Sequence, residues 1–136
     1  MRRTSLLLRR SALAAEAGLF LTLASVATRL LPSSSATRLL GRVASASSGG
    51  ARPAGDEALL VGRAVNRVTR LLPWHPTCLP QAIATRAMLR RRRIDCISHL
   101  GVVETDPFRA HAWVTVNGSV VQGRLSRDPS ELARFT

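Results

Sequence analysis

A chain of 136 residues and 14.7 kDa holds one ordinary domain with an appendage, and excludes a large multidomain enzyme. Twenty basic residues face eight acidic ones for a net charge of +12, and every basic residue is arginine, so Schiff-base chemistry and a phosphate-loop lysine are excluded. Two cysteines, Cys78 and Cys96, are too few for a disulfide-held scaffold, and aromatic residues at 4% with no tyrosine argue against base stacking.

Residues 1–43 read as helical. Leu6, Leu7 and Leu8 lie between arginine pairs, and a mostly apolar run over 11–28 follows, broken by Glu16 and closed by Arg29 and Pro32. Arg2, Arg3, Arg9 and Arg10 ahead of an apolar stretch fit a signal peptide, with Ser25, Val26 and Ala27 as small residues for cleavage. A membrane span needs about 20 apolar residues. A third option is a helix lying on the protein's own core or at a membrane surface. Glu16 favours the third, because an acid is tolerable on one helix face and costly in lipid. A short helix over 36–43 then meets a stretch rich in Ser, Gly and Ala, 44–55, which reads as a linker. The expected division is an N-terminal helical region 1–43, a linker 44–55 and a domain 56–136.

From Asp56, a candidate N-cap, Leu60, Ala64, Val68 and Leu71 recur at helical spacing while Arg63, Arg67 and Arg70 face away, and Pro73 ends the helix. A second helix is predicted over 77–91, with Thr77 as cap and Pro80 tolerated in the first turn. The arginine run 90–93 marks its C-terminal end, where cations offset the helix dipole. The period then changes to 2. Residues 96–105 read as a strand, Asp106 and Pro107 as a turn, and 110–116 alternate, with Ala112, Val114 and Val116 on one face and His111, Trp113 and Thr115 on the other. Asn117-Gly118 is a strong hairpin signal, and 119–124 form the return strand. Counting back from that turn pairs Val116 with Ser119, Trp113 with Gln122 and His111 with Arg124. The sum is an α+β fold with an antiparallel sheet.

Cys78 follows the expected cap and falls in a first helical turn, where unpaired N–H groups and the helix dipole favour a thiolate. His111, opening a strand beside Trp113, is a candidate base for it, provided that the preceding helix packs on its face. A rival set, His75 with Cys78 and Cys96 with His99, has zinc-ligand spacing within each pair. The continuous helix between the pairs sets them at opposite ends of a rod.

The segments CLPQAIATRAMLRRRRI, HLGVV and FRAHAWVTVNGSVVQGRL resemble the transglutaminase-like leader peptidases of lasso-peptide biosynthesis, closely over residues 70–126. The resemblance implies a transglutaminase- or papain-like cysteine protease core, in which the helix carrying the Cys lies on a small antiparallel sheet. It implies a hydrolase of natural-product maturation that frees the core peptide's α-amine, with Cys78 as nucleophile and His111 as base, and no cofactor or metal. The family's third member, an Asp in the strand after the hairpin, is not matched; Gln122, on the face of His111 in the expected register, and Asp128, beyond the sheet, are the candidates. Implied partners are the leader region of a precursor peptide, a separate leader-recognition protein and a lasso cyclase, in the cytoplasm, with no nucleic acid. Membrane-surface contact through the first helix stays open. The alternatives are a non-enzymatic basic module on nucleic acid, with the His-Cys and Cys-His pairs on zinc, and a catalytically degenerate scaffold of the same fold.

Overall fold

The described helices all precede residue 92, and every strand but a two-residue one at Val43–Ala44 follows it, as the change of period requires. A computed structural model describes residues 2–41, 43–44, 55–105, 108–124 and 130–136. In chain order the elements are α1 (Arg2–Leu30), α2 (Ser33–Arg38), β1 (Val43–Ala44), α3 (Asp56–Leu71), α4 (Cys78–Arg91), β2 (Ile97–Thr105), β3 (Phe108–Val116), β4 (Ser119–Gln122) and β5 (Ser130–Phe135). Most of the expected linker (45–54), the Asp106-Pro107 turn and Asp128 lie outside the described residues.

The five strands form one antiparallel sheet in the order β1-β5-β2-β3-β4. Helices cover one of its faces. Ala112, Val114 and Val116 of β3 are buried there with Met88 and Leu89 of α4 and Val61 and Val65 of α3. Leu13, Ala17, Leu21 and Ala24 of α1 join the same core at helical spacing, so α1 is an integral layer over α3 and α4. Gly62 permits the closest contact between layers: a Cβ there would stand 1.9 Å from the carbonyl oxygen of Val121, so α3 touches β4 backbone to backbone.

Glu16 ties α1 to the end of α4. It accepts hydrogen bonds from Arg91 Nη1 (2.8 Å) and from Arg92 Nη1 (2.9 Å) and Nη2 (2.6 Å), while Arg92 Nε lies 3.5 Å from Glu57 of α3. The Arg92 hydrogen bond outweighs burial and, with both positive charges, holds the Glu16 carboxyl below its ordinary range. Two members of the arginine run are therefore interhelical partners, and Arg92 Nη1 also donates to the Met88 carbonyl at 2.8 Å, closing the last turn.

Three local expectations change. Gly55, not Asp56, caps α3, which leaves Asp56 and Glu57 in the first turn, where the dipole favours acids. The second helix stops at Arg38; Gly41, at φ +116°, turns the chain into β1, and a Cβ on it would meet the Thr136 carbonyl oxygen at 2.3 Å. The hairpin register holds for two pairs, Val116 with Ser119 and Thr115 with Val120, and then slips by one. Val114 pairs with Gln122, which leaves Val121 as the extra residue of a bulge.

Candidate active site

Cys78 is the first residue of α4, with Thr77 in extended geometry before it. Thr77 makes no side-chain cap; Gln81 Nε2 instead donates to the Pro76 carbonyl at 2.8 Å, fixing the approach to the helix start. The segment before it bends at His75, whose φ is +43°. Pro80 fits the first turn, where its missing N–H costs nothing. Cys78 Sγ meets β3 at the Ala110 carbonyl oxygen, 3.9 Å away, so the sulfur stands one peptide unit from His111.

His111 and Trp113 alternate with Ala112, Val114 and Val116 and so lie off the buried face of β3, with His111 next to the Ala110 main chain that the sulfur meets. His111 Nε2 lies 2.6 Å from the Gly123 carbonyl oxygen; a carbonyl only accepts, so Nε2 carries the proton and donates. In the neutral ring Nδ1 is then the basic nitrogen, and no partner lies on it among the described residues.

The bulge redirects the end of β4. Because Gln122 stands opposite Val114, its buried amide turns toward the helices, where Nε2 donates to Gln81 Oε1 at 2.9 Å. It is thus removed from the face of His111, and the next residue, Gly123 at φ +85°, presents its carbonyl to the imidazole instead. A Cβ on Gly123 would come within 2.9 Å of the Ala112 carbonyl oxygen and of Trp113 Cβ. Sequence reasoning missed this partner because a main-chain acceptor has no side-chain signature; the glycine closing a strand was the one available sign.

A second network lies beside the first. Trp113 is stacked between two imidazoles, with its centroid 5.0 Å from that of His99 and 6.1 Å from that of His111, both within 10° of parallel. His99 is buried and engaged at both nitrogens: Nδ1 lies 3.0 Å from Glu131 Oε1 and Nε2 lies 2.8 Å from Thr115 Oγ1. The Glu131 carboxylate accepts from Nδ1–H, and the Thr115 hydroxyl, which can donate or accept, pairs with Nε2. Burial raises the Glu131 carboxyl, but hydrogen bonds from Arg134 and His99 prevail and hold it below its ordinary range. Thr115 was legible from the alternation of β3; Glu131 was not, because the sequence pattern does not announce β5.

This network answers the zinc alternative. His99 has no nitrogen left for a metal, and Cys96 lies at the far end of α4 from Cys78, its thiol pushed up by burial despite Arg86 and Arg90 nearby. Among the described residues no three of His, Cys, Asp and Glu gather as metal ligands.

A family described as the transglutaminase-like superfamily matches residues 21–136, and so takes in α2 to α4, every strand and the C-terminal part of α1. The chain belongs to the transglutaminase-like superfamily. No curated protein and no solved structure matches it. The superfamily fold includes cysteine proteases and transglutaminases, and the helix opening on Cys78 over an antiparallel sheet is its arrangement here. One cavity of this transglutaminase-like chain lies elsewhere. It measures about 850 Å3 and is lined by Arg38, Gly41, Arg86, Arg90 and Phe135, with neither Cys78 nor His111 among its walls.

Proposed function

We propose that the chain is a cysteine peptidase that removes the leader from a ribosomally made lasso-peptide precursor. The observation that carries the chemistry is the state of His111 beside Cys78. Its Nε2 proton is committed to the Gly123 carbonyl, its Nδ1 lone pair is open, and the sulfur opens a helix one peptide unit away. The lasso precursor as substrate is supported by the resemblance of CLPQ and AHAWV, in that order and spacing, to the leader peptidases.

In this reading His111 Nδ1 takes the thiol proton as Cys78 Sγ adds to the scissile carbonyl. The strand end shared by the two residues lets substrate binding draw the dyad together, since catalytic hydrogen bonds of resting enzymes are commonly long. The start of α4 favours the anion that forms, through its dipole and its unpaired N–H groups, with the Cys78 N–H as an oxyanion donor. The tetrahedral adduct collapses with the C–N bond breaking, and the imidazolium returns its proton to the leaving amine, which is the α-amine of the core peptide. Water, deprotonated by Nδ1, then adds to the thioester; the leader leaves with a new carboxylate and the thiol is restored. A separate cyclase consumes the freed amine, and a separate protein presents the leader.

The test is cleavage of a lasso-precursor peptide, followed by mass spectrometry, with the full chain and a leader-recognition protein added. Cleavage at one bond that Cys78→Ala abolishes is the expected result. Unimpaired cleavage by Cys78→Ala would overturn the assignment. Thiol alkylation near neutral pH gives an independent measure: Cys78 reacts faster than a free cysteine peptide in a working peptidase, and no faster than that peptide in a degenerate scaffold.

A further inference from the structure

Two glutamines join one half of the candidate dyad to the other. Gln81 lies on α4 nearly one turn after Cys78, and its Nε2 donates at 2.8 Å to the carbonyl oxygen of Pro76, just ahead of the residue that bears the sulfur. Gln122 ends β4, and its Nε2 donates to Gln81 Oε1 at 2.9 Å. The residue that follows is Gly123, whose carbonyl takes the Nε2 proton of His111 at 2.6 Å. A continuous path therefore runs from Pro76 through Gln81, Gln122 and Gly123 to the imidazole, and it crosses from helix to sheet at the two side-chain amides. Without the slip at Val121, strand alternation would put Gln122 on the face of His111 and break that path.

The polarity of the path has one solution. The Pro76 carbonyl only accepts, so the NH2 group of Gln81 faces it and Gln81 Oε1 faces the sheet. That oxygen in turn requires the NH2 group of Gln122. Gln122 Oε1 is what remains, buried and without a hydrogen-bond partner among the described residues, in a side chain 2% exposed. An empty buried acceptor costs stability, and an apolar side chain of similar length would avoid that cost. An amide at 122 is thus a poor filler for the core, and what it supplies is the bond to Gln81.

We infer that Gln81 and Gln122 are positioning residues, a clasp that holds the contact of His111 with Gly123 in register with the start of α4 and so sets the imidazole against the Cys78 sulfur. Neither acts on the reacting atoms; one works through Pro76 and the other through Gly123. The inference rests on the peptidase reading for its effect on turnover, whereas the clasp itself is measured without substrate.

The test is nitrogen NMR of the imidazoles in the full chain, with cleavage of a lasso-precursor peptide as second readout. In the unaltered chain the Nε2–H form of His111 should dominate. Gln122→Met keeps the reach of the side chain and removes the empty acceptor with the amide. It should raise the Nδ1–H fraction of His111 about fivefold and leave His99, on the other side of Trp113, unchanged. Gln81→Met should act in the same direction, and the double variant should go no further than the stronger single, because both cut one path. In cleavage each single variant should lower kcat about 100-fold with KM within about twofold, the cost of roughly 1 Å of misplacement. Melting temperatures near that of the unaltered chain separate positioning from loss of fold; if Gln122→Met melts early, Gln81→Met, at a partly exposed site, carries the test. A His111 tautomer ratio that neither variant moves overturns the inference, as does a loss of kcat that tracks melting temperature alone. An unaltered chain that fails to cleave the precursor sinks the peptidase reading instead, and the tautomer ratio still decides the clasp.

Discussion

Trp113 has an imidazole on either side, and the two sides of the indole are built for different ends. His99 is buried, with a carboxylate on one nitrogen and a hydroxyl on the other, so both ring nitrogens are taken. His111 is partly buried and, among the described residues, held at one nitrogen only, by a main-chain carbonyl. Complete satisfaction makes a structural histidine, and a single fixed partner makes one that can still accept a proton. The same residue type, stacked on the same tryptophan, thus diverges through its partners alone.

Removing each histidine in turn is the sharpest way to break this contrast. In the peptidase assay, His111→Ala is expected to cost about 100 to 10,000-fold in kcat, the range of a lost general base, with the melting temperature nearly unchanged. Cys78→Ala should cost at least about 10,000-fold in kcat/KM. His99→Ala should show the reverse. It leaves Glu131 and Thr115 without their ring partner and should lower stability by about 2–3 kcal/mol in denaturant unfolding, with turnover retained well below the melting point. If His99→Ala abolishes turnover in protein that is still folded, that division of labour is wrong.

Gly62→Ala probes the His111 side from behind. The added Cβ has backbone on both sides of the contact and no flexible group to yield, so a cost of about 3 kcal/mol is expected. Because the strain falls on the Val121 bulge that brings Gly123 to His111, kcat should fall beyond what the loss of folded protein explains. Single-turnover kinetics at low temperature separate the two effects.

The smallest effect lies on the His99 side. Glu131 titrates below its ordinary value of 4.5, so its contribution is present at neutral pH and is lost as the pH falls below 4.5 and through the folded-state value. Glu131→Gln should therefore lower stability by about 1 kcal/mol at pH 7 and flatten its decline in acid. Part of that decline should survive, because Glu16, held low by Arg92, titrates with the same sign. Melting temperatures from pH 3 to 7 in Glu131→Gln and Glu16→Gln measure each share.

Local pattern made much of the fold legible. The apolar spacing of α3, the cap and proline before α4, and the alternation and Asn-Gly turn of β3 and β4 each follow from one period and one turn rule. What escaped was non-local. β5 is short, and its only apolar residue buried below a tenth is Phe135, so nothing in its own composition announced that it would insert between β1 and β2. The bulge at Val121 escaped for a related reason: it lies where Gly62 of α3 meets that carbonyl, a contact between residues 59 positions apart. The site inherited both omissions. Cys78 and His111 were found as residue types in a pattern, whereas the group that sets the tautomer of His111 depends on a register slip that hairpin counting cannot foresee.

The Gly123 carbonyl has a consequence for how such a site tolerates change. An acid in that position can be deleted by one codon; an amide oxygen of the main chain survives every substitution that preserves the path of the chain. Alanine scanning would pass over it, and mutational drift could reach it only by bending the polypeptide. Selection for keeping the imidazole oriented would therefore be visible as intolerance at the glycine and at the bulge before it, and not as an invariant acidic side chain.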